Sequence, residues 1–198
     1  MRDYYEARAP EYDDWWLGTG LFADRERPGW HAETEALIAA LAALPPARTL
    51  DVACGTAFLG RHLPGDVVGL DASPAMRAIA AARLPRVVEG DALDPPFPDG
   101  AFERVAAGHF YGHLDEDDRA RLLARARRLA PELLIVDSAR RPDVPAARMD
   151  QRVLNDGSRH EVFKRWFEPA ELQAELGGGE VVHAGHWFVA VRVMDELG

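Results

Sequence analysis

An α/β fold, a doubly wound and mostly parallel sheet with helices on both faces, is predicted by three observations on the 198-residue chain. Short apolar runs alternate with turns and helix-period segments across residues 49–137, the signature of βαβ units. Acidic residues close the successive runs, Asp71 the second and Glu89–Gly90–Asp91 the third, and Asp51 stands just before the first turn. The last two apolar runs are separated by Ala184, Gly185 and His186 alone. Three residues are too few for a parallel crossover, so the sheet is expected to end in an antiparallel hairpin.

The elements follow in order. Leu37, Ile38, Leu41 and Leu44 recur at helical spacing over residues 31–44, and Pro45 and Pro46 stop that helix. Strands are expected at 49–53, 67–70, 87–89, 102–107 and 133–137. The first strand is expected to turn into a helix whose N-terminus offers free N–H groups. Ser73 and Pro74 read as N-cap and first residue of a helix after the second strand. Leu122, Leu123, Ala126 and Leu129 give one face of a helix over 116–130, and its five arginines read as the solvated face. Residues 139–168 are polar, with a short helix expected near 147–154 and an extended piece near 161–167. A helix at 169–176 ends at three glycines, and strands at 180–183 and 187–193 close the chain. Seven strands in one domain, 1–198, result, with residues 1–30 as an aromatic zone and 139–168 as an insert.

Composition narrows the function. Charged residues are 28% and hydrophobic ones 47%, an ordinary globular balance. Lys plus Arg is 23 against 33 for Asp plus Glu, a net charge of −10. Such a chain lacks the long-range attraction to phosphate that nucleic acid or an anionic membrane surface requires. Cys54 is the single cysteine, so no internal disulfide and no cysteine-rich zinc site can form. No apolar run approaches the roughly 20 residues of a spanning helix. A cytoplasmic protein, monomer or homodimer, with a small-molecule partner is expected, and no metal.

Ligands of doubly wound sheets bind at strand carboxyl ends, where strand order reverses. Gly55 lets backbone approach a ligand there, and Asp51 can hold a cationic group nearby. Asp71 can accept hydrogen bonds from ribose hydroxyls. Asp91 can accept from an adenine amino group, the Ala92 N–H can donate to a ring nitrogen, and Met76 can pack on the ring face. Carboxylates in this order describe an amino acid joined to an adenosine. A nicotinamide enzyme should show G-x-G-x-x-G, which Ala53 and Ala57 break.

Leu50–Ala57 (LDVACGTA), Val67–Met76 (VVGLDASPAM) and Glu89–Val105 (EGDALDPPFPDGAFERV) resemble, in order and spacing, the first three motifs of the class I S-adenosylmethionine-dependent methyltransferases. The resemblance covers residues 1–138. It implies a seven-stranded sheet whose last strand is antiparallel beside the fifth. It also implies S-adenosylmethionine as cofactor: its amino-acid end near Asp51, Ala53 and Gly55, ribose on Asp71 and Ala72, adenine at Met76, Asp91 and Ala92, and backbone contact at His109. Ala57 departs from the family, which usually has Gly there, and is strained if φ is positive. A non-methylating use of the fold, as cyclase or cofactor-binding module, stays open on that account.

Tyr4 to Asp13 resembles the N-terminal lid of small-molecule members, with Tyr4 and Tyr12 over the cofactor and Trp15 and Trp16 walling the substrate pocket. His109, Tyr111 and His113 follow the fourth strand. Imidazoles there suit general-base work on a protonated acceptor, which assigns His109 and His113 to catalysis and Tyr111 to substrate. Arg159, His160 and Lys164 give the insert a cationic face suited to a small anionic or phenolic substrate. No Asn/Asp-Pro-Pro-Tyr-type motif follows the fourth strand, which counts against nucleic-acid or protein amide nitrogen as acceptor. The expected reaction is methyl transfer to a small-molecule O, N or C nucleophile.

Overall fold

The computed structural model describes residues 2–194. Its seven-stranded sheet has the order β3-β2-β1-β4-β5-β9-β8. The strands are β1 (Ala47–Val52), β2 (Gly65–Asp71), β3 (Arg86–Glu89), β4 (Arg104–Gly108), β5 (Glu132–Ser138), β8 (Glu180–Ala184) and β9 (Phe188–Met194). β1 to β5 pair in parallel; β9 runs antiparallel between β5 and β8. The seven strands and the closing hairpin match the sequence expectation.

Side-chain alternation splits the core into two layers. Leu133, Ile135, Val189 and Val191 face one side with Leu122, Leu129, Leu172 and Leu176. Leu134, Val136, Phe188 and Ala190 face the other with Leu37, Leu41, Ala80 and Leu84. Helices α5 (Glu116–Leu129) and α6 (Pro169–Glu175) thus cover one face, and α3 (Trp30–Ala42) and α4 (Pro74–Ala80) the other. Alternate residues of a strand point to opposite faces, so a sheet covered on both sides must be apolar at every central position.

Three expectations require correction. No α-helix follows β1, only the single 3₁₀ turn Gly60–His62. Residues 147–154 are not helical: β6 (Ala147–Val153) pairs antiparallel with β7 (Arg159–Arg165). Gly157, at φ 83°, closes their turn. The period is two, with Asp150 and Arg152 turned inward between exposed neighbours, and Leu154 and Val162 pack on Tyr4. The arginines of α5 are not simply solvated. Arg119 pairs with Glu175 at 2.6 Å, and Arg125 and Arg128 both reach Asp99, while Arg121 stays outside. The amino-terminal aromatic zone, to which the sequence assigns no elements, is helical: α1 (Arg2–Arg8), a 3₁₀ turn and α2 (Asp14–Leu17). Among the described residues no helix is long and apolar enough to cross a membrane.

Candidate functional site

Strand order reverses between β1 and β4, and the crevice at their carboxyl ends is bounded by the turn after β1. That turn is left-handed at Ala53 (φ 50°), Gly55 (φ 55°) and Ala57 (φ 58°). A Cβ at Gly55 would project into the crevice, 3.9 Å from Met76 Sδ and from the Tyr12 ring. Asp71 ties the turn to α4. Its Oδ2 accepts from the Gly55 N–H at 2.8 Å and its Oδ1 from the Ser73 N–H at 2.8 Å. These bonds fix the carboxylate's orientation and leave lone pairs free toward the crevice.

The crevice encloses a cavity of about 160 Å³. Ala53, Gly55, Asp71, Ala72, Met76, Asp91, Ala92 and His109 line it, all eight named from the sequence. Asp91 accepts from the Leu93 N–H at 2.9 Å, so its loop is braced from within. Asp51 sits one layer deeper, in an adjoining cavity with Trp16, Cys54 and Gly60. Burial, and then the neighbouring Asp71 charge, push its carboxyl up to about 7.

Beside the crevice lies a smaller cavity of about 50 Å³, open on one side, and the two share Tyr5, Tyr12 and His109. Its floor is a buried ion pair between Lys164 of β7 and Asp137 of β5. Asp137 also accepts from the Gly112 and Ser138 N–H groups at 2.7 Å each, and His109 Nδ1 stands 3.8 Å away. Burial pushes both His109 and His113 down to about 3, so both imidazoles are neutral at ordinary pH. His113 Nδ1 lies 2.7 Å from the Phe163 carbonyl and so carries the proton, which leaves Nε2 as the basic nitrogen. Trp15 and Trp16 meet the His109 ring edge-on at 4.9 and 5.0 Å. Its Nε2 has no hydrogen-bond partner. Among the lining residues Arg8, Arg152 and Lys164 are cationic and none is a carboxylate.

The remaining sequence-predicted residues divide. Tyr12 lines both spaces and Tyr4 only the second, where Tyr5 takes the place over the crevice expected of Tyr4. Trp16 is buried, stacked on Phe58 at 4.7 Å, behind the site. Tyr111 is displaced to the opposite face: fully buried on Phe167, it donates to Glu175 at 2.8 Å and lines neither space. Arg159 reaches only Gln151 across the hairpin, and His160 packs on Tyr4 at 5.2 Å. Sequence reasoning placed Trp15 at the substrate, where it lines the second cavity, but missed Arg8, Tyr5, Ser138 and Arg152 as lining residues. Reading 147–165 as a hairpin would have found Arg152, because residues 150, 152, 162 and 164 then share an inward face.

Comparison with known proteins agrees with this geometry. Residues 50–132 match a family model described as a methyltransferase domain. A demethylmenaquinone methyltransferase of Thermus thermophilus is 39% identical over 100 residues, 42% of this chain and 46% of that one. A 2-phytyl-1,4-naphtoquinone methyltransferase of Synechococcus elongatus is 32% identical over 146 residues, 65% of this chain and 58% of that one. The chain thus spans about half the length of these curated relatives. A solved structure described as the DhpI-SAM-HEP complex superposes with a TM-score of 0.69 at 25% identity, covering 96% of this chain and 94% of the other. A possible histamine N-methyltransferase from Thermotoga maritima also gives 0.69, at 18% identity over 99% and 100% of the chains, a likeness of fold. Sheet order, crevice and matched segment converge: residues 50–132 match a methyltransferase domain, and the chain has the fold of the class I S-adenosylmethionine-dependent methyltransferases.

Proposed function

We propose that the protein methylates a small molecule, with S-adenosylmethionine in the crevice and the acceptor in the cationic cavity. The observation that carries this reading is the shared wall: Tyr5, Tyr12 and His109 border both spaces, so two bound reactants meet there. The residues fit the cofactor. Asp71 presents a fixed carboxylate to a ribose diol, and Met76, Ala72 and Ala92 give apolar walls to an adenine next to Asp91. Ala53 and Gly55 let backbone approach the amino-acid end, and Asp51 stands below it. An ammonium group there would offset the cost of ionising Asp51. The sulfonium methyl, when bound, supplies the electrophilic carbon.

The chain's own residues align and shield. Tyr5, Tyr12 and Trp15, carried on the amino-terminal helices, close the meeting point from above and exclude water, which leaves orientation as the main source of acceleration. His109 stays neutral in its aromatic cage and walls the junction, its Nε2 buried without a hydrogen-bond partner. An acceptor that carries a proton would give it to Nε2 of His113, whose tautomer the Phe163 carbonyl sets.

The test is calorimetric titration with S-adenosylhomocysteine, with NADH as control and Asp71→Ala as second sample. Binding in the micromolar range, weakened about tenfold or more in the variant, is expected for loss of hydrogen bonds to a charged group. NADH binding without S-adenosylhomocysteine binding would overturn the reading.

A further inference from the structure

We propose that the acceptor is a small oxyanion, a carboxylate or phosphoryl compound, whose charged oxygens are gripped by Lys164, Arg152 and Arg8 beneath the hydroxyls of Tyr4 and Tyr5. The inference rests on the methyltransferase reading and names the substrate class of its acceptor cavity.

Four observations carry it. The chain has a net charge of −10, yet the cavity wall holds three cations and no carboxylate. The partners that balance those cations are outside it. Asp137 lies beneath Lys164, Asp150 holds Arg152 at 2.9 Å, and Glu11 stands 3.8 Å from Arg8. Cations thus face the space and anions back them, an arrangement that presents donors to a ligand and keeps the empty protein folded. Second, Arg152 Nε is buried without a hydrogen-bond partner, and a buried donor of that kind is costly unless a ligand meets it. Third, Lys164 is the only lysine of the chain and is almost completely buried at this one position. Lysine rarely occurs buried without a charge to serve. Fourth, burial raises the tyrosine hydroxyls above their ordinary range, so they remain neutral donors.

The same wall disfavours the long isoprenoid quinones named for the curated relatives. Such tails need an apolar channel, and Val162 and Trp15 are the apolar side chains lining this cavity besides the tyrosines. The chemistry also balances without a base. An anionic acceptor oxygen donates a lone pair to the sulfonium methyl carbon, the carbon–sulfur bond breaks, and its electron pair stays on sulfur. A C–O bond forms, one negative and one positive charge cancel, and no proton is released. His109 and His113, held neutral, then serve as wall and hydrogen-bond partners.

The experiment is calorimetry of the full chain, free and loaded with S-adenosylhomocysteine, titrated with inorganic phosphate, acetate and, as a neutral comparison, 1,4-naphthoquinol. Arg152→Gln and Lys164→Met are run in parallel, with circular dichroism as a check on folding. Arg152 lies on the two-stranded hairpin, outside the main sheet, so its variant is expected to fold. One of the two anions should bind, and Arg152→Gln should weaken it about tenfold or more while leaving S-adenosylhomocysteine affinity unchanged. Phosphate binding assigns a phosphoryl acceptor; acetate binding assigns a carboxylate. Failure of both anions to bind the loaded protein, whether or not naphthoquinol binds, or anion affinity equal in Arg152→Gln, overturns the proposal while the methyltransferase reading stands. Failure of S-adenosylhomocysteine to bind overturns the methyltransferase reading, and the titrations of the free protein still decide the anion question.

Discussion

Two residues at the turn after β1 carry opposite expectations. Ala57 is buried and left-handed at φ 58°. A non-glycine residue there costs roughly 1–2 kcal/mol. Ala57→Gly would remove that cost but lose one buried methyl, about 0.8 kcal/mol, and add unfolded-state entropy of about 0.4–1 kcal/mol. The terms nearly cancel, so thermal unfolding of Ala57→Gly is expected within a few degrees of the parent. Asp51 is different. Its folded-state carboxyl is raised from 3.8 to about 7, so the protonated form favours folding and the ionised form opposes it. That penalty grows as pH rises from 4 to 7 and reaches at most roughly 4 kcal/mol above it. Asp51→Asn is therefore expected to melt higher than the parent at pH 8, to melt alike at pH 4, and to bind S-adenosylhomocysteine more weakly. Differential scanning fluorimetry at the two pH values and one titration check this. At this scale the sequence was informative where a residue type has one physical use. Asp71, Met76, Asp91 and Ala92 all lie where strand ends demanded. Tyr111 misled because a phenol beside two imidazoles looks like site chemistry, while its ring satisfies the core and its hydroxyl finds Glu175.

Among the elements, α4 links cofactor loop and lid. Ser73 Oγ accepts from the Met76 N–H at 3.1 Å and donates to Glu6 of α1 at 2.5 Å. Ser73→Ala removes the N-cap and the tie together. A cap is worth about 1 kcal/mol, so melting should fall by a few degrees. Limited proteolysis should cut the amino-terminal 20 residues faster than in the parent; equal rates would show that the lid does not depend on this tie. Parallel strands and α5 were legible because apolar runs and helical spacing are local signals. The β6–β7 hairpin was not. Its residues are polar, its packing partners Tyr4 and Tyr5 lie far away in sequence, and Leu154 after a mixed segment fits either period. The missing helix after β1 had no local signal either, since the 3₁₀ turn at Gly60–His62 suffices to reach β2.

For the whole molecule, the buried histidines set the response to acid. His109 and His113 are lowered from 6.5 to about 3, so the unfolded chain takes up two protons between these limits that the folded chain refuses. Asp51 works the other way over much of the same range, taking one proton when folded. Two protons outweigh one, so between pH 6 and 5 stability should fall by about 1.4 kcal/mol per pH unit as pH is lowered. Below pH 4 Asp137 and Glu132, both held low with cationic partners, add to the loss. A melting temperature flat or rising from pH 6.5 to 5 would contradict buried neutral histidines. The central claim concerns the meeting of two ligands at one wall. Its most direct test is a crystal structure with S-adenosylhomocysteine bound. The account predicts ribose hydroxyls on the Asp71 carboxylate, adenine between Met76 and Ala92, and the sulfur turned toward Tyr5, Tyr12 and His109. A ligand with its ribose away from Asp71, or its sulfur pointing away from the cationic cavity, would contradict it.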